Sequence, residues 1–203
     1  MPASMDTALI LVGGQSLRFG TPKALVDVAG KPMVVRVADA VAPLVGEIVV
    51  SVAESRYADS LRPILPRAKF AVDRRRSVGP IEGMTRGFQV ARGERVLVAP
   101  CDAPLLRSDL YRLLIKSLGS HDAAVPQVGV FDPVRAVYRR REVRRQLADT
   151  TVALPSPSSL VDRLDTIFVR EDALRAVDPR LDSFLDVNRE EDLREVLARL
   201  KSD

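Results

Sequence analysis

Along this chain, short blocks of continuous apolar residues alternate with longer stretches in which apolar positions recur at helical spacing. The runs 7–12 (TALILV), 47–52 (EIVVSV), 69–73 (KFAVD) and 95–99 (RVLVA) are brief and rich in Val, Ile and Leu. Such runs, bounded by turn residues, read as strands buried on both faces. Between them, 32–44 (PMVVRVADAVAPL), 55–65 and 80–92 read as amphipathic helices. Pro32 and Pro80 stand where each helix should take its first residue, a position that tolerates a missing N–H. A further helix is expected over 108–118 with Ser108 as its N-cap, then strand candidates at 122–126 and 134–138. The last segment, 189–201 (REEDLREVLARLK), sets Leu193, Val196, Leu197 and Leu200 on one helical face. This βαβα rhythm predicts an α/β three-layer sandwich, with a mostly parallel central sheet and helices on both faces. The Pro/Ser patch at 155–159 is too short to divide domains and no internal repeat is visible, so residues 1–203 are expected to form a single domain.

Composition narrows the chemistry. At 46% hydrophobic and 29% charged, the 203 residues suit a globular fold with a full core. Aromatics are 4% with no Trp, so packing must rest on aliphatic side chains. No apolar run reaches the roughly 18 residues that span a bilayer, which argues against a membrane partner. The opening MPASMDTALILVGG has no basic segment before its apolar run and reads as a first strand rather than a signal peptide. A lone cysteine, Cys101, permits no internal disulfide, and a cytoplasmic location is expected. Cys101 itself reads as a small buried residue at a strand end. The net charge of +4 and pI near 9.6 suit a polyanionic small molecule or a nucleic acid. The basic residues are dispersed and the few aromatics make no stacking platform, so no nucleic-acid partner is expected. The single histidine, His121, lies in the polar stretch GSHDA and reads as a surface residue. Histidine-activated nucleophiles and multi-histidine metal sites are thereby disfavoured.

The first strand runs into LVGGQSLRFGTPKALVDVAGKP, residues 11–32. In a sheet of this kind ligands bind beyond the carboxyl ends of the strands. Gly13 and Gly14 allow a sharp turn and close approach of backbone N–H groups to an anion, while Arg18 and Lys23 add positive charge. Taken together these features suit a phosphate; taken alone, the glycine pair also suits an ordinary βα turn. The loop is neither a P-loop nor a G-x-G-x-x-G fingerprint. Five residues separate Gly14 from Gly20, and Lys23 is followed by Ala24. At the end of the fourth strand, RVLVAPCDAPLL presents Asp102. A carboxylate beside a polyphosphate makes sense with a cation between them, and Mg²⁺ favours one or two carboxylates plus phosphate oxygens. The alternative is a turn aspartate before Ala103-Pro104. Asp73 ends the third strand, ahead of Gly79-Pro80-Ile81-Glu82-Gly83; turn or cap roles remain open for it. Arg74, Arg75 and Arg76 read as a solvated basic run that could also attract a phosphorylated substrate. Late in the chain Asn188 precedes Arg-Glu-Glu-Asp and reads as a helix N-cap.

The pattern G-G-x-S-x-R-F-G-x-P-K-A-L, followed by Gly30-Lys31-Pro32, resembles the signature of nucleotidyltransferases with a GT-A-like, Rossmann-like fold. With D-x-x-x-x-x-G-P-I-x-G, C-D-A-P, the AVYRR run at 136–140 and the final D-V-N, the chain is similar to molybdenum cofactor guanylyltransferases from about residue 7 to 197. That resemblance implies GTP and molybdopterin as substrates, with other cofactor-biosynthesis proteins or a molybdoenzyme as further partners. It implies nucleotide contacts from Leu11, Val12, Gly13, Gly14, Lys23, Asp73, Gly79 and Asp102. Arg18, Lys23 and Asp102 would be catalytic, and Asp102 with Asn188 would hold Mg²⁺ or Mn²⁺. Arg135 and Tyr138 would line the pterin side. Three positions depart from the usual pattern. Val12 replaces a common alanine, Asp186 stands where many relatives have asparagine, and Ser51-Val52-Ala53 replaces an asparagine-bearing turn near the base. The last departure leaves guanine unassigned at the residue level.

The missing histidine also bears on the reaction. A substrate phosphate is already ionised near neutral pH, so it can attack the α-phosphorus of a nucleoside triphosphate without a general base. Catalysis is then positioning and charge neutralisation. Rival readings are other enzymes on the same scaffold: a molybdopterin cytidylyltransferase, a cobinamide-phosphate guanylyltransferase or a sugar-1-phosphate nucleotidyltransferase. A rival of another class is a nucleotide or cofactor carrier without chemistry.

Overall fold

The structure, a computed structural model, describes residues 6–13, 22–74, 79–149 and 154–201. In chain order the elements are β1 (Thr7–Val12), β2 (Asp27–Val28), β3 (Lys31–Pro32), α1 (Met33–Val41), β4 (Glu47–Val52), α2 (Ser55–Leu61) and β5 (Lys69–Val72). Then come α3 (Pro80–Val90), β6 (Arg95–Pro100), α4 (Ser108–Leu118), β7 (Ala123–Val128), β8 (Val130–Phe131) and β9 (Val137–Arg139). The chain ends with α5 (Arg140–Ala148), α6 (Pro157–Val161), β10 (Thr166–Arg170), α7 (Glu171–Val177) and α8 (Glu190–Lys201).

The central sheet runs β10-β7-β9-β6-β1-β4-β5, with β8 paired to β7. The β5-β4-β1-β6 half is parallel throughout. In the other half β9 runs antiparallel to both β6 and β7, while β10 is parallel to β7. Alternate residues of β1 feed two separate cores. Ala8 and Ile10 pack with α1, α2, α4 and α7; Leu9 and Leu11 pack with α3, α5 and α6. This is the three-layer sandwich that the continuous apolar runs predict. A third cluster joins Val26, Val28 and Met33 to Val187 and Val196, docking α8 against the β2–β3 hairpin.

Gly87 shows how tightly α3 lies on the sheet. A Cβ there would stand 2.3 Å from Leu9 Cδ1, and Leu9 is fully buried.

Local chemistry shifts several expected boundaries. Ser108 is the first residue of α4, not its cap; its hydroxyl donates instead to Ala40 O at 2.6 Å, tying α4 to α1. Pro32 ends β3 and caps α1 rather than starting it, whereas Pro80 does sit in the first turn of α3. The strand expected over 134–138 starts at Val137, because Asp132 holds a turn in which its carboxylate accepts from Val134 N at 3.0 Å. The β2–β3 hairpin was not foreseen. Its two-residue loop places Ala29 (φ 51°) and Gly30 (φ 82°) in the left-handed region, and Asp27 Oδ1 accepts from Gly30 N at 3.1 Å. Among the described residues no helix is long and apolar enough to cross a membrane.

Candidate active site

Strand order reverses direction at β1. The chain passes from β1 to β4 and β5 on one side, then returns through β6 on the other. Such a switch point leaves a crevice at the carboxyl ends of the two central strands. Here those ends are in register, Leu11 opposite Pro100, and Cys101 N donates to Leu11 O at 3.1 Å. Gly13 is thus the first residue beyond β1, and Asp102 the second beyond its neighbour β6.

Lys23 returns to this crevice on a single 3₁₀ turn, Lys23–Leu25, fixed by Leu25 N to Pro22 O (2.8 Å) and Val26 N to Lys23 O (3.1 Å). Its side chain is almost wholly buried, with 8% of the residue exposed. The ammonium donates to Asp102 Oδ2 at 2.5 Å and to Asn188 Oδ1 at 2.8 Å. Asn188 is delivered by the D-V-N turn. Val187 N donates to Asp102 O at 2.8 Å, and the Val187 side chain is buried in the third core. Asp192 Oδ2 accepts from both Asn188 N (2.7 Å) and Arg189 N (2.8 Å). Asp192 therefore closes the entry to α8, and the Asn188 amide oxygen faces Lys23 instead of capping.

Behind this turn lies a charged group that sequence reasoning did not assemble. Arg135, 3% exposed, donates through Nη1 to Asp132 and through Nη2 to Asp186, and its guanidinium lies 5.5 Å from the Phe184 ring centroid. Its Nε is buried, with no hydrogen-bond partner among the described residues. Burial pushes the Asp186 carboxyl up to about 6; Arg135 opposes that rise, and Asp102 and Asp132 add to it. Arg135, which the resemblance sets on the pterin side, has its charge paired within the protein by Asp132 and Asp186. Tyr138, expected beside it, is also buried and donates to Pro133 O at 2.6 Å.

Asp73 lies two strands away on the same edge, at the end of β5, where Asp73 N donates to Val52 O at 2.9 Å. Burial raises its carboxyl; the Ser51 hydroxyl, donating at 3.3 Å, lowers it, and neighbouring Glu82 raises it again. Gly79 has φ 87°, a conformation that favours glycine, and it turns the chain into α3. Glu82, buried to 3% in the first turn of α3, accepts from Arg74 N at 3.1 Å and is a site-edge acid that the sequence reading passed over. Its position inside G-P-I-E-G was the available signal.

Lys23, Asp102 and Asn188 therefore meet directly, and Leu11, Val12 and Gly13 adjoin them through the β1–β6 register. Asp73 lies on the same sheet edge, and among the described residues no hydrogen bond or ion pair joins it to that cluster. Gly14 and Arg18, with Arg75 and Arg76 of the basic run, lie outside the described residues. Cys101 is buried and its thiol is pushed up to about 12, first by burial and then by the Asp102 charge, so it stays a thiol. His121 pairs with Asp165 at 2.9 Å before β7, at the opposite edge of the sheet.

Among the described residues no three His, Cys, Asp or Glu side chains cluster as a metal site. The oxygen pair from Asp102 and Asn188 already converges on one cation, the Lys23 ammonium. Two such hard oxygen donors suit a divalent ion of the Mg²⁺ class, which takes one or two protein ligands plus phosphate oxygens.

Residues 8–167 match the MobA-like NTP transferase domain. The chain is 35% identical to a probable molybdenum cofactor guanylyltransferase of Natronomonas pharaonis, over 96% of this chain and 98% of that protein. It is 31% identical to the molybdenum cofactor guanylyltransferase of Desulfosudis oleivorans, over 97% of this chain and 96% of that one. The fold superposes with a TM-score of 0.81 on molybdopterin-guanine dinucleotide biosynthesis protein A from Archaeoglobus fulgidus, at 23% identity, covering 97% of this chain and all of that one. The chain belongs to the MobA-like NTP transferase family, and it is a nucleotidyltransferase.

Proposed function

We propose that this protein transfers GMP from GTP to the phosphate of molybdopterin, forming molybdopterin guanine dinucleotide and pyrophosphate. The names of its full-length relatives support that substrate pair. The observation that carries it within the chain is the convergence of Lys23, Asp102 and Asn188 at the switch point beside Gly13. One side of this crevice offers backbone and ammonium donors to a polyphosphate, and the other offers oxygens to its counter-ion.

In this reading the β1 end and its loop hold the phosphates, with Asp73 and Gly79 towards the nucleoside. Asp102 and Asn188 would hold Mg²⁺, which when bound neutralises phosphate charge. Lys23 lends a fixed positive charge where charge builds up at the α-phosphorus. An oxygen of the acceptor phosphate forms a new bond to that phosphorus. The bond to the bridging oxygen of the β-phosphate breaks, and the electron pair leaves with pyrophosphate. A phosphate monoester has its second pKa near 6, so the attacking oxygen needs no base at neutral pH. The chain's only histidine faces the other edge, and its only cysteine is a buried thiol, which accords with that economy.

Pyrophosphate release with molybdopterin should be measured using GTP, CTP and ATP in turn. Turnover confined to GTP is expected. Preference for CTP would replace the guanylyl assignment with a cytidylyl one. No release with any nucleotide would leave only a carrier.

A further inference from the structure

We infer that Lys23 is a resident cation that keeps bare divalent metal out of the site, so that metal enters only together with a nucleoside triphosphate. The inference rests on the assignment of Asp102 and Asn188 as metal ligands made above.

The two oxygens assigned to the metal are already engaged by the Lys23 ammonium, at 2.5 Å from Asp102 Oδ2 and 2.8 Å from Asn188 Oδ1. A divalent ion of the Mg²⁺ class binds such oxygens at roughly 2.1 Å. It would have to sit within the same small space as the ammonium, and two like charges cannot share it. Metal entry therefore requires Lys23 to leave. Lys23 is nearly buried, so departure without a new anionic partner strands a charge in a poorly solvated place. Its flexible four-carbon stem allows the swing, and the phosphates of an incoming nucleotide supply the partner. Bare metal thus pays to displace the ammonium, whereas metal with nucleotide exchanges one anion for another at the same lysine. Lys23 in this role sets what the site accepts: a metal–nucleotide pair, not the free ion. Linkage makes the effect reciprocal, so nucleotide should raise metal affinity by the factor that metal raises nucleotide affinity.

The test uses the full-length protein and Mn²⁺ alone, with free Mn²⁺ followed by electron paramagnetic resonance. Wild type, Lys23→Gln, Lys23→Met, Asp102→Asn and Lys23→Gln/Asp102→Asn are titrated without nucleotide and again with GTP, each checked for a cooperative thermal melt. Lys23→Gln keeps a hydrogen-bond donor towards Asp102 and so guards against misfolding of the methionine variant. Removing the ammonium should tighten bare Mn²⁺ binding about tenfold or more, within the usual span of such couplings. Adding GTP should raise Mn²⁺ affinity strongly in wild type and much less in the variants. The double variant should lose the gained Mn²⁺ binding. If neither Lys23 variant binds bare Mn²⁺ more tightly than wild type, while Asp102→Asn still weakens Mn²⁺ binding in the presence of GTP, the gatekeeping role is wrong and the metal site stands. If Asp102→Asn changes Mn²⁺ binding in no background, the ligand assignment falls, and the inference falls with it.

Discussion

At the scale of single residues, the site places its strongest demand on Lys23 and Asp102. Each holds the other in place, and each is assigned to a charge on the nucleotide complex. Replacing Asp102 with Ala should lower kcat/KM for nucleotidyl transfer by about 10²–10³-fold, the size expected when one fixed electrostatic contact to a transition state is lost. Steady-state pyrophosphate release checks it, and an unchanged rate would remove Asp102 from the chemistry. A quite different residue effect lies at Ala29. It adopts φ 51° in the hairpin turn, where a Cβ is disfavoured and Asn or Gly is common. Ala29→Asn should stabilise the protein by about 0.5–1 kcal/mol, read as a raised midpoint in urea with an unchanged slope. The residue is exposed, and its side chain lies outside the apolar cluster that joins this hairpin to α8, so nucleotide affinity should stay constant.

At the scale of elements, two contacts decide where functional groups stand. The first is the crossing of α3 over β1. Gly87 lets the helix approach the buried Leu9, and the first turn of α3, entered through Gly79, holds Glu82, which accepts from Arg74 N next to Asp73. Gly87→Ala should cost about 1–3 kcal/mol through overpacking, measured by chemical denaturation. The second is the brace from Arg135 to the D-V-N turn. Arg135 bonds Asp186, which leads directly into Val187 and Asn188. Arg135→Met leaves two carboxylates facing a neutral chain, so loss of stability is expected in any case. The informative readout is the metal affinity itself: per folded molecule, the variant should weaken Mn²⁺ binding in the presence of GTP several-fold, and a purely structural arginine would leave that affinity alone. Legibility in the sequence followed burial. β1, β4 and β6 announce themselves because both faces are covered and their residues run continuously apolar. β10 (TIFVR) is an edge strand with Phe168 exposed, and α5 (RREVRRQLA) buries Val143 alone, so neither offers the apolar run that marks a buried element. Lys23, Asp102 and Asn188 could be named from residue type and position in turns, although 79 and 165 residues separate Lys23 from its partners. The Arg135–Asp186 pair, 51 residues apart, could not, since nothing in a charged residue's local sequence reveals that it will be buried.

At the scale of the whole molecule, the two edges of the sheet do different work. The carboxyl edge of the parallel strands gathers acids whose charged forms are disfavoured by burial, Asp73 and Asp186 among them. The opposite edge gathers acids that are well paired. Asp6 takes Arg95 at 2.8 and 3.0 Å, and Glu47 accepts from Thr7 Oγ1 at 2.6 Å, from Arg92 N at 2.8 Å and from Lys69 Nζ. Glu47 in this way stitches β1, β4, β5 and the exit of α3. Burial alone would raise its carboxyl, but the bonds from Lys69, Thr7 and Arg92 together outweigh that and bring it below its ordinary value of 4.5. An acid with a lowered folded-state pKa stabilises the protein above its unfolded pKa, and that stabilisation disappears as pH falls through the folded value. Glu47→Gln should therefore cost about 1 kcal/mol near pH 7, allowing for solvent screening of the half-exposed Lys69, or roughly 2–4 °C in a chain of this size. The gap between variant and wild type should hold from pH 7 down to about 4.5 and close below it, as Glu47 becomes protonated in both folded and unfolded states. Turnover at pH 7 and a temperature well below the melt should be unaltered, because the lesion sits at the far edge from Asp102. A pH-independent gap would mean that the carboxylate's charge contributes nothing, and a loss of turnover would mean that the two edges are coupled through the strands that join them.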